Sequence, residues 1–255
     1  MEDINDPDFV TALARGIAVI RAFDRDHPTM TMADVAGRTG LPRATVRRLL
    51  NTLKVLGYVD GDGKHYSLSP TILCLGYAYL SATPLPGLIQ PYLDDVSSKT
   101  GFSSSASVFN GNEVVYIARS ATRRILSVDL GVGSTLPAYC TSMGRVWLAS
   151  LSTAQLDDYL ARIPLNALTP RTVTEPAALR HILEETRIQG WAGVDQELEL
   201  GLWSIAVPVR SPSGSIVTAI NLSLPATQAG DFAATEHLIG ILRSTAVRIS
   251  QALPA

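Results

Sequence analysis

The chain has 255 residues, 46% hydrophobic and 17% charged, with a formal net charge of -2 and a sequence pI near 6.1. That length holds one large domain or two ordinary ones with real cores, and the near-neutral balance excludes a chain that is basic throughout, so any nucleic-acid contact must come from a local patch. Cys74 and Cys140 stand far apart without metal-ligand spacing, the start "MEDINDPDFV" is acidic, and no apolar run approaches the roughly 18 residues of a membrane span, so a cytoplasmic protein with no disulfide framework and no membrane partner is expected.

Residues 9 to 24 bring Leu13, Ile17, Ile20 and Phe23 into helical register, predicting a first amphipathic helix that ends near "DRDHP". In "TMTMADVAGRTG", Thr31 is an N-cap with Asp34 three residues on, Met32, Val35 and Ala36 form an apolar face, and Gly40 suits a left-handed terminator. The next segment, "GLPRATVRRLLNTLKVLGYV", has Pro42 at the first helical position and Gly57 at its end. On a helical wheel Val46, Leu49, Leu50, Leu53 and Leu56 share one face, while Ala44, Arg47, Arg48 and Asn51 point away, flanked by Arg43 and Lys54.

Two helices joined by a short glycine-containing turn form a helix-turn-helix, the second helix sized to enter a major groove. "GYVDGDGKHYSLSP" then reads as a hairpin, with Val59 before an Asp-Gly-Asp-Gly turn and Tyr66 and Leu68 after it, which makes the unit winged and puts Lys64 and His65 near the tip. A short helix, "TILCLGYAYLSA", leads into the Pro-Gly punctuation of "TPLPG". The organisation is therefore a winged helix-turn-helix domain at 9–69, a linker helix at 70–86 and a second domain at 87–255. The linker's Ile72, Leu73, Gly76 and Leu80 form an apolar stripe suited to packing or dimer contacts.

In the second domain "LIQPYLDDVSSKTG" reads as a helix, "SASVF", "EVVYIAR" and "ILSVDL" as strands, and helices are expected around 141–150, 153–161 and 175–189. A short strand at Trp191, the pair "SIAVPVR" and "SIVTAINLS" across "SPSGS", and a closing helix at 231–252 complete the chain. The hairpin-length loop between the last two strands predicts an α+β fold with a mostly antiparallel sheet.

Between Gly37 and Lys54 every charged residue is basic, namely Arg38, Arg43, Arg47, Arg48 and Lys54. Arginine binds phosphate as a fork or reads guanine, and asparagine pairs with adenine, so Arg47, Arg48 and Asn51 are the candidate base readers on double-stranded DNA. Leu41 caps poorly, which leaves the first backbone donors of this helix for a phosphate. The alternatives are a basic face that serves solubility and a winged helix used for protein contacts, the latter without steep salt dependence.

No enzyme is expected; the alternative is catalysis through Cys140 at a helix start, where a thiolate is stabilised. No Gly-x-Ser-x-Gly elbow occurs, His27, His65, His181 and His237 lie in separate elements, and "GDGKH" and "DGDGK" fit neither a phosphate loop nor a calcium loop. No metal and no cofactor is expected.

The segment "LARGIAVIRAFDRDHPTMTMADVAGRTGLPRATVRRLLNTLKVLGYV" is very similar to the DNA-binding domain of IclR-type bacterial regulators. "LPAYCTSMGRVWLASL", "LTPRTVTEPAALRHILEETRIQGWAGVDQELELGLWSIAVPVRSPSG" and "AINLS" resemble the family's effector domain. "RAFDRDHPTMT" and "QGWAGVDQELELGLWSIAVPVR" look closest to the regulators of protocatechuate and 4-hydroxybenzoate catabolism.

The resemblance implies a winged helix followed by a GAF-like or profilin-like sensor of a small aromatic acid, assembled as dimers or dimers of dimers. Regulation is then by activation, with RNA polymerase as a further partner, or alternatively by repression in response to an aliphatic acid. The implied DNA-contacting set is Thr31, Arg38, Pro42, Arg43, Ala44, Thr45, Arg47, Arg48, Asn51, Lys54, Lys64 and His65. The implied effector set is Ile125, Val128, Leu136, Ser142, Met143, Asp195, Leu202, Ser204, Asn221 and Ser223. Two residues depart from the family pattern: Trp203 stands where a polar or basic residue is common, pointing to ring-shaped effectors, and Asn221 stands where some members carry serine. A helix starting near Thr141 aims N–H groups at an anion, which suits a carboxylate. Asp195 read on its own is equally a turn cap, and Ser204 and Ser223 equally strand residues satisfied locally.

Overall fold

The structure is a computed structural model that describes residues 8–122, 130–229 and 232–254. The chain divides into two compact units, Met1–Ala82 and Thr83–Ala255.

In the first unit α1 (Thr11–Arg21), α2 (Met32–Thr39) and α3 (Arg43–Val55) pack around Val19, Phe23, Val35, Val46, Leu50 and Leu53. Thr31 and Asp34 form the expected reciprocal cap on α2, and Gly40 ends that helix with φ 68°. The bonds Thr31 donates hold the Asp34 carboxyl below its usual pKa. β1 (Thr29–Thr31), β2 (Val59–Gly61) and β3 (His65–Leu68) make an antiparallel sheet in the order β1-β3-β2, so the wing has a third strand beyond the expected hairpin.

Three expectations need correction here. Leu13 and Ile17 are 64% and 49% exposed, because the buried face of α1 lies toward its C-terminal end, around Val19, Ala22 and Phe23. Pro42 is the N-cap of α3 with ψ 139°, one place before the helix starts. Leu56 is the C-cap and is 59% exposed, since the helix has ended before it can join the stripe.

After a 3-10 turn at Pro70–Ile72, α4 (Leu73–Ala82) has no buried residue, so the apolar stripe of Ile72, Leu73, Gly76 and Leu80 has no core of its own.

The second unit is built on an antiparallel sheet of β4 (Ser103–Phe109), β5 (Glu113–Ser120), β6 (Thr135–Pro137), β7 (Ala192–Asp195), β8 (Leu202–Arg210) and β9 (Ile216–Pro225), ordered β6-β5-β4-β9-β8-β7 among the described residues. The expected strand "ILSVDL" lies outside the described residues except for Leu130, and β6 is an edge strand that the alternation of so short a segment does not announce. As predicted, β8 and β9 form a hairpin.

Side chains alternate between the two faces of a strand. On one face Ile117, Ile205, Val207, Ile220, Leu222 and Leu224 meet Ile89, Leu93 and Val96 of α5 (Leu85–Thr100) and Ile239, Leu242 and Ile249 of α9 (Phe232–Ala252). On the other face Val114, Tyr116, Ala206 and Ala219 meet Met143 and Val146 of α6 (Ser142–Ala149), and α7 (Thr153–Arg162) and α8 (Pro176–Gln189) build a further core around Leu156, Tyr159, Leu179 and Leu183.

Two contacts seat α6. A Cβ on Gly144 would fall 2.1 Å from the Ala138 carbonyl oxygen, a separation no side chain survives, so only glycine lets the incoming chain pass this close. Arg145, 2% exposed, donates from Nε to the Tyr139 carbonyl at 3.0 Å and from Nη2 to Glu197 Oε2 at 2.7 Å, and the same oxygen accepts from Val173 N–H at 2.9 Å. The pair ties the helix to the loop at Glu197 before β8 and, through Val173, to the segment before residue 176.

Removing one partner of a buried pair strands the other charge without its water, which costs about 3–5 kcal/mol. Glu197→Ala is therefore expected to lower unfolding free energy by that amount in urea titrations; a loss under about 1 kcal/mol would show that the pair is peripheral to the fold.

Candidate DNA interface and effector cleft

Pro42 carries no side-chain cap, and its carbonyl accepts from Thr45 N–H at 2.9 Å and Val46 N–H at 3.0 Å. The N–H groups of Arg43 and Ala44 lie ahead of those bonds, at the positive end of the helix dipole. They border a shallow concavity lined by Thr31, Met32, Ala33, Arg43, Ala44, Arg47, Gly63 and Lys64, which joins the starts of α2 and α3 to the wing tip. Arg48 and Asn51 are exposed on the same helix, Thr45 is half-buried, and among the described residues no carboxylate pairs with Arg43, Arg47 or Arg48.

The side chains of Arg38 and Lys54 already have partners within the fold. Arg38 is held by Asp24 and by His27, with Nη1 2.8 Å from His27 Nδ1. Lys54 Nζ donates to the Gly61 carbonyl, bracing α3 against β2. Asp62 accepts from the backbone N–H groups of Lys64 and His65 at 2.8 and 2.7 Å, which shapes the turn and holds the Asp62 carboxyl below its usual pKa.

In the second unit a narrow cleft opens where the N-terminus of α6 faces the sheet. Tyr116, Cys140, Thr141, Ser142, Met143, Val194, Leu198, Leu202, Ser204, Asn221 and Ser223 line it, around about 360 Å³ of empty space. The part clear of the walls is about one water in size, so a ring can enter only if the walls part. The register explains the grouping: Ser204 pairs with Ser223 and with Val194, and directly opposed residues share a face.

Thr141 caps α6 by accepting from Gly144 N–H at 3.3 Å, which leaves the Ser142 and Met143 N–H groups at the cleft. Asn221 Nδ2 donates to Ser223 Oγ at 3.0 Å, while Asn221 Oδ1, buried from solvent, has no partner. A buried acceptor without a donor is costly and invites a ligand group that supplies one.

Of the ten effector candidates this cleft gathers Ser142, Met143, Leu202, Ser204, Asn221 and Ser223. Leu136 packs nearby with Val114 and Tyr116 but does not line the space. Asp195 is exposed and ion-paired with Arg171. Ile125 and Val128 lie outside the described residues. Trp203 packs against the apolar core on the opposite face from Ser204, so its ring does not reach the cleft and gives no reason to expect ring-shaped effectors.

Sequence reasoning missed Tyr116, Cys140, Thr141, Val194 and Leu198 as lining residues. For Tyr116 and Val194 the two-residue alternation along β5 and β7 was a usable signal. Arg145 and Glu197 carried a weaker one, a charge inside an otherwise apolar helix and a glutamate in a loop.

The alternative of an enzyme using Cys140 finds no support in the surroundings of that thiol. It is buried, and desolvation, with Glu197 adding repulsion, pushes its thiol up to about 12, so the neutral form prevails at physiological pH. Among the described residues no group of three or more His, Cys, Asp or Glu is placed to hold a metal ion.

Comparison with known proteins completes the picture. The model of the IclR helix-turn-helix domain matches residues 12–63, and that of the bacterial transcriptional regulator IclR C-terminal region matches 77–251. The Pca regulon regulatory protein of Pseudomonas putida is 51% identical over 219 residues, covering 86% of this chain and 75% of that protein. The p-hydroxybenzoate hydroxylase transcriptional activator of Acinetobacter baylyi is 32% identical over 250 residues, covering 96% and 92%. The crystal structure of an IclR homolog complexed with 4-hydroxybenzoate from Microbacterium hydrocarbonoxydans superposes with a TM-score of 0.79 at 27% identity, over 94% of this chain and 98% of that one. A basic helix whose Arg43, Arg47 and Arg48 pair with no carboxylate among the described residues, a sheet with a cleft at a helix N-terminus, and family matches spanning both units lead to one conclusion: the chain belongs to the IclR family of bacterial transcriptional regulators.

Proposed function

We propose that this regulator acts in the cytoplasm as an activator of aromatic-acid catabolism genes, and that its C-terminal cleft takes a small aromatic carboxylate such as 4-hydroxybenzoate or protocatechuate. The observation that carries the reading is the composition of that cleft. Apolar walls from Met143, Val194, Leu198 and Leu202 suit a ring, and a few convergent polar groups, Ser204, Asn221, Ser223 and the first N–H groups of α6, suit its oxygens. The named relatives in aromatic-acid regulation, one of them an activator, support both the sensed class and the sign.

On the DNA side Arg47, Arg48 and Asn51 read base edges while Arg43, Ala44, Thr45, Thr31 and the wing residues Lys64 and His65 hold the backbone. Arg38, Pro42 and Lys54 shape the reading surface from behind, given the partners of Arg38 and Lys54 and the capping place of Pro42. Self-association as a dimer or dimer of dimers is supported by two apolar surfaces that no core covers: Val10, Leu13 and Ile17 on and before α1, and Leu73, Leu75, Tyr77 and Tyr79 on α4. A two-fold dimer reads symmetric half-sites, and an activator bound there presents RNA polymerase with a second partner surface.

Arg47→Ala and Arg48→Ala are each expected to weaken binding to operator DNA, selected from a random-sequence pool, with the salt slope falling by about 1 if the lost contact is to phosphate and sequence preference relaxing if it is to a base. Unchanged affinity and slope in both variants would remove α3 from the interface.

In calorimetry with 4-hydroxybenzoate and protocatechuate, Ser204→Ala and Asn221→Ala are each expected to weaken binding by about fivefold to a hundredfold, the range for losing one hydrogen bond to a charged or polar group. Wild-type affinity in both variants would move the effector elsewhere.

A further inference from the structure

The polar character of the cleft continues beyond its walls along one row of the sheet. Ser105 on β4 is directly opposite Asn221 on β9 and, on its other side, opposite Arg119 on β5. Opposed residues share a face, so Arg119, Ser105 and Asn221 stand side by side at successive strand spacings of about 4.8 Å. Tyr116, which lines the cleft, lies near enough to Arg119 to feel its charge.

Arg119 Nη1 donates to Ser105 Oγ at 3.1 Å, which turns the guanidinium along the row toward Asn221. Its Nε is buried and donates to nothing. Among the described residues no carboxylate pairs with Arg119, whereas Arg145, the other arginine near the cleft, is neutralised by Glu197. A guanidinium N–H kept from water without an acceptor is a standing cost that a carboxylate, with two oxygens at fork spacing, relieves.

We propose that Arg119, presented by Ser105, is the carboxylate anchor of the effector, so that the acid lies along the row with its charged end at Arg119 and its far end toward Asn221 and the start of α6. The proposal rests on the reading of the cleft as a small-acid site and adds the residue that selects acids over neutral rings.

The test is calorimetry on the full chain with benzoate, 4-hydroxybenzoate and protocatechuate, alongside the uncharged 4-hydroxybenzamide. Arg119→Gln is expected to weaken the acids about tenfold to a hundredfold, the scale of one charge-assisted contact, while amide binding stays within about twofold. Ser105→Ala shifts affinity the same way by less. Arg119→Lys keeps the charge without the fork and falls between wild type and Arg119→Gln, and it supplies the comparison if the glutamine variant does not fold. The anchor is overturned if Arg119→Gln binds the acids like wild type, or if it weakens acid and amide equally. If wild type binds none of the three acids, the small-acid reading fails first and takes the anchor with it; if Asn221→Ala loses binding while Arg119→Gln does not, only the anchor falls.

Discussion

The approach of the Ala138 backbone to Gly144 sets the geometry of the sensor unit. With no side chain at that position, the strand-to-helix connection folds back tightly and α6 begins directly over the sheet. Thr141 caps the start and the Arg145–Glu197 pair fixes the roll of the helix. Met143 and Val146 then meet Val114, Tyr116, Ala206 and Ala219, but the first turn stands beside Ser204, Asn221 and Ser223, where no apolar contact closes the layer. The cleft is the space a rigidly seated helix leaves above a polar part of a sheet.

The opposite face of the same sheet shows what full closure looks like. There α5 and α9 cover a largely apolar surface whose buried hydroxyls, Ser97 and Ser104, bond each other at 2.8 Å, and the difference lies in alternate residues of the same strands: Leu222 and Leu224 point into that core while Asn221 and Ser223 point into the cleft. One strand thereby supplies the core on one side and the cleft on the other. In the N-terminal unit α3 divides the same way, burying Val46, Leu50 and Leu53 while Arg47, Arg48 and Asn51 remain exposed. A chain with net charge -2 can therefore present a locally positive helix face.

Much of this is legible in the sequence alone. The cap at Thr31, the terminator at Gly40 and the apolar spacing of Val46, Leu50 and Leu53 are local signals, and they located α2 and α3 closely. The cleft was legible only in part, because pocket membership depends on strand register. Ser204, Asn221 and Ser223 meet through pairings that no short segment encodes, and Trp203 was misread because its neighbour's face, not its chemistry, decides where it points. Leu13, Ile17 and Leu56 mark another limit: helical spacing reports a stripe, but not how far along the helix the core extends. The Arg145–Glu197 pair joins residues far apart in sequence, and periodicity carries no information about such a partner.

On the proposed function, an acid in the cleft governs how α3 holds DNA. A ligand shifts a conformational equilibrium only by its difference in affinity for the two states, and the coupling is reciprocal. The most direct measurement is fluorescence anisotropy of labelled operator DNA titrated with the full chain at fixed salt, with and without saturating 4-hydroxybenzoate or protocatechuate. At least one acid is expected to change the DNA Kd by about fivefold or more, and bound DNA to change the acid's Kd by the same factor. Equal DNA affinity and an unchanged complex footprint with every acid that binds the cleft would contradict it.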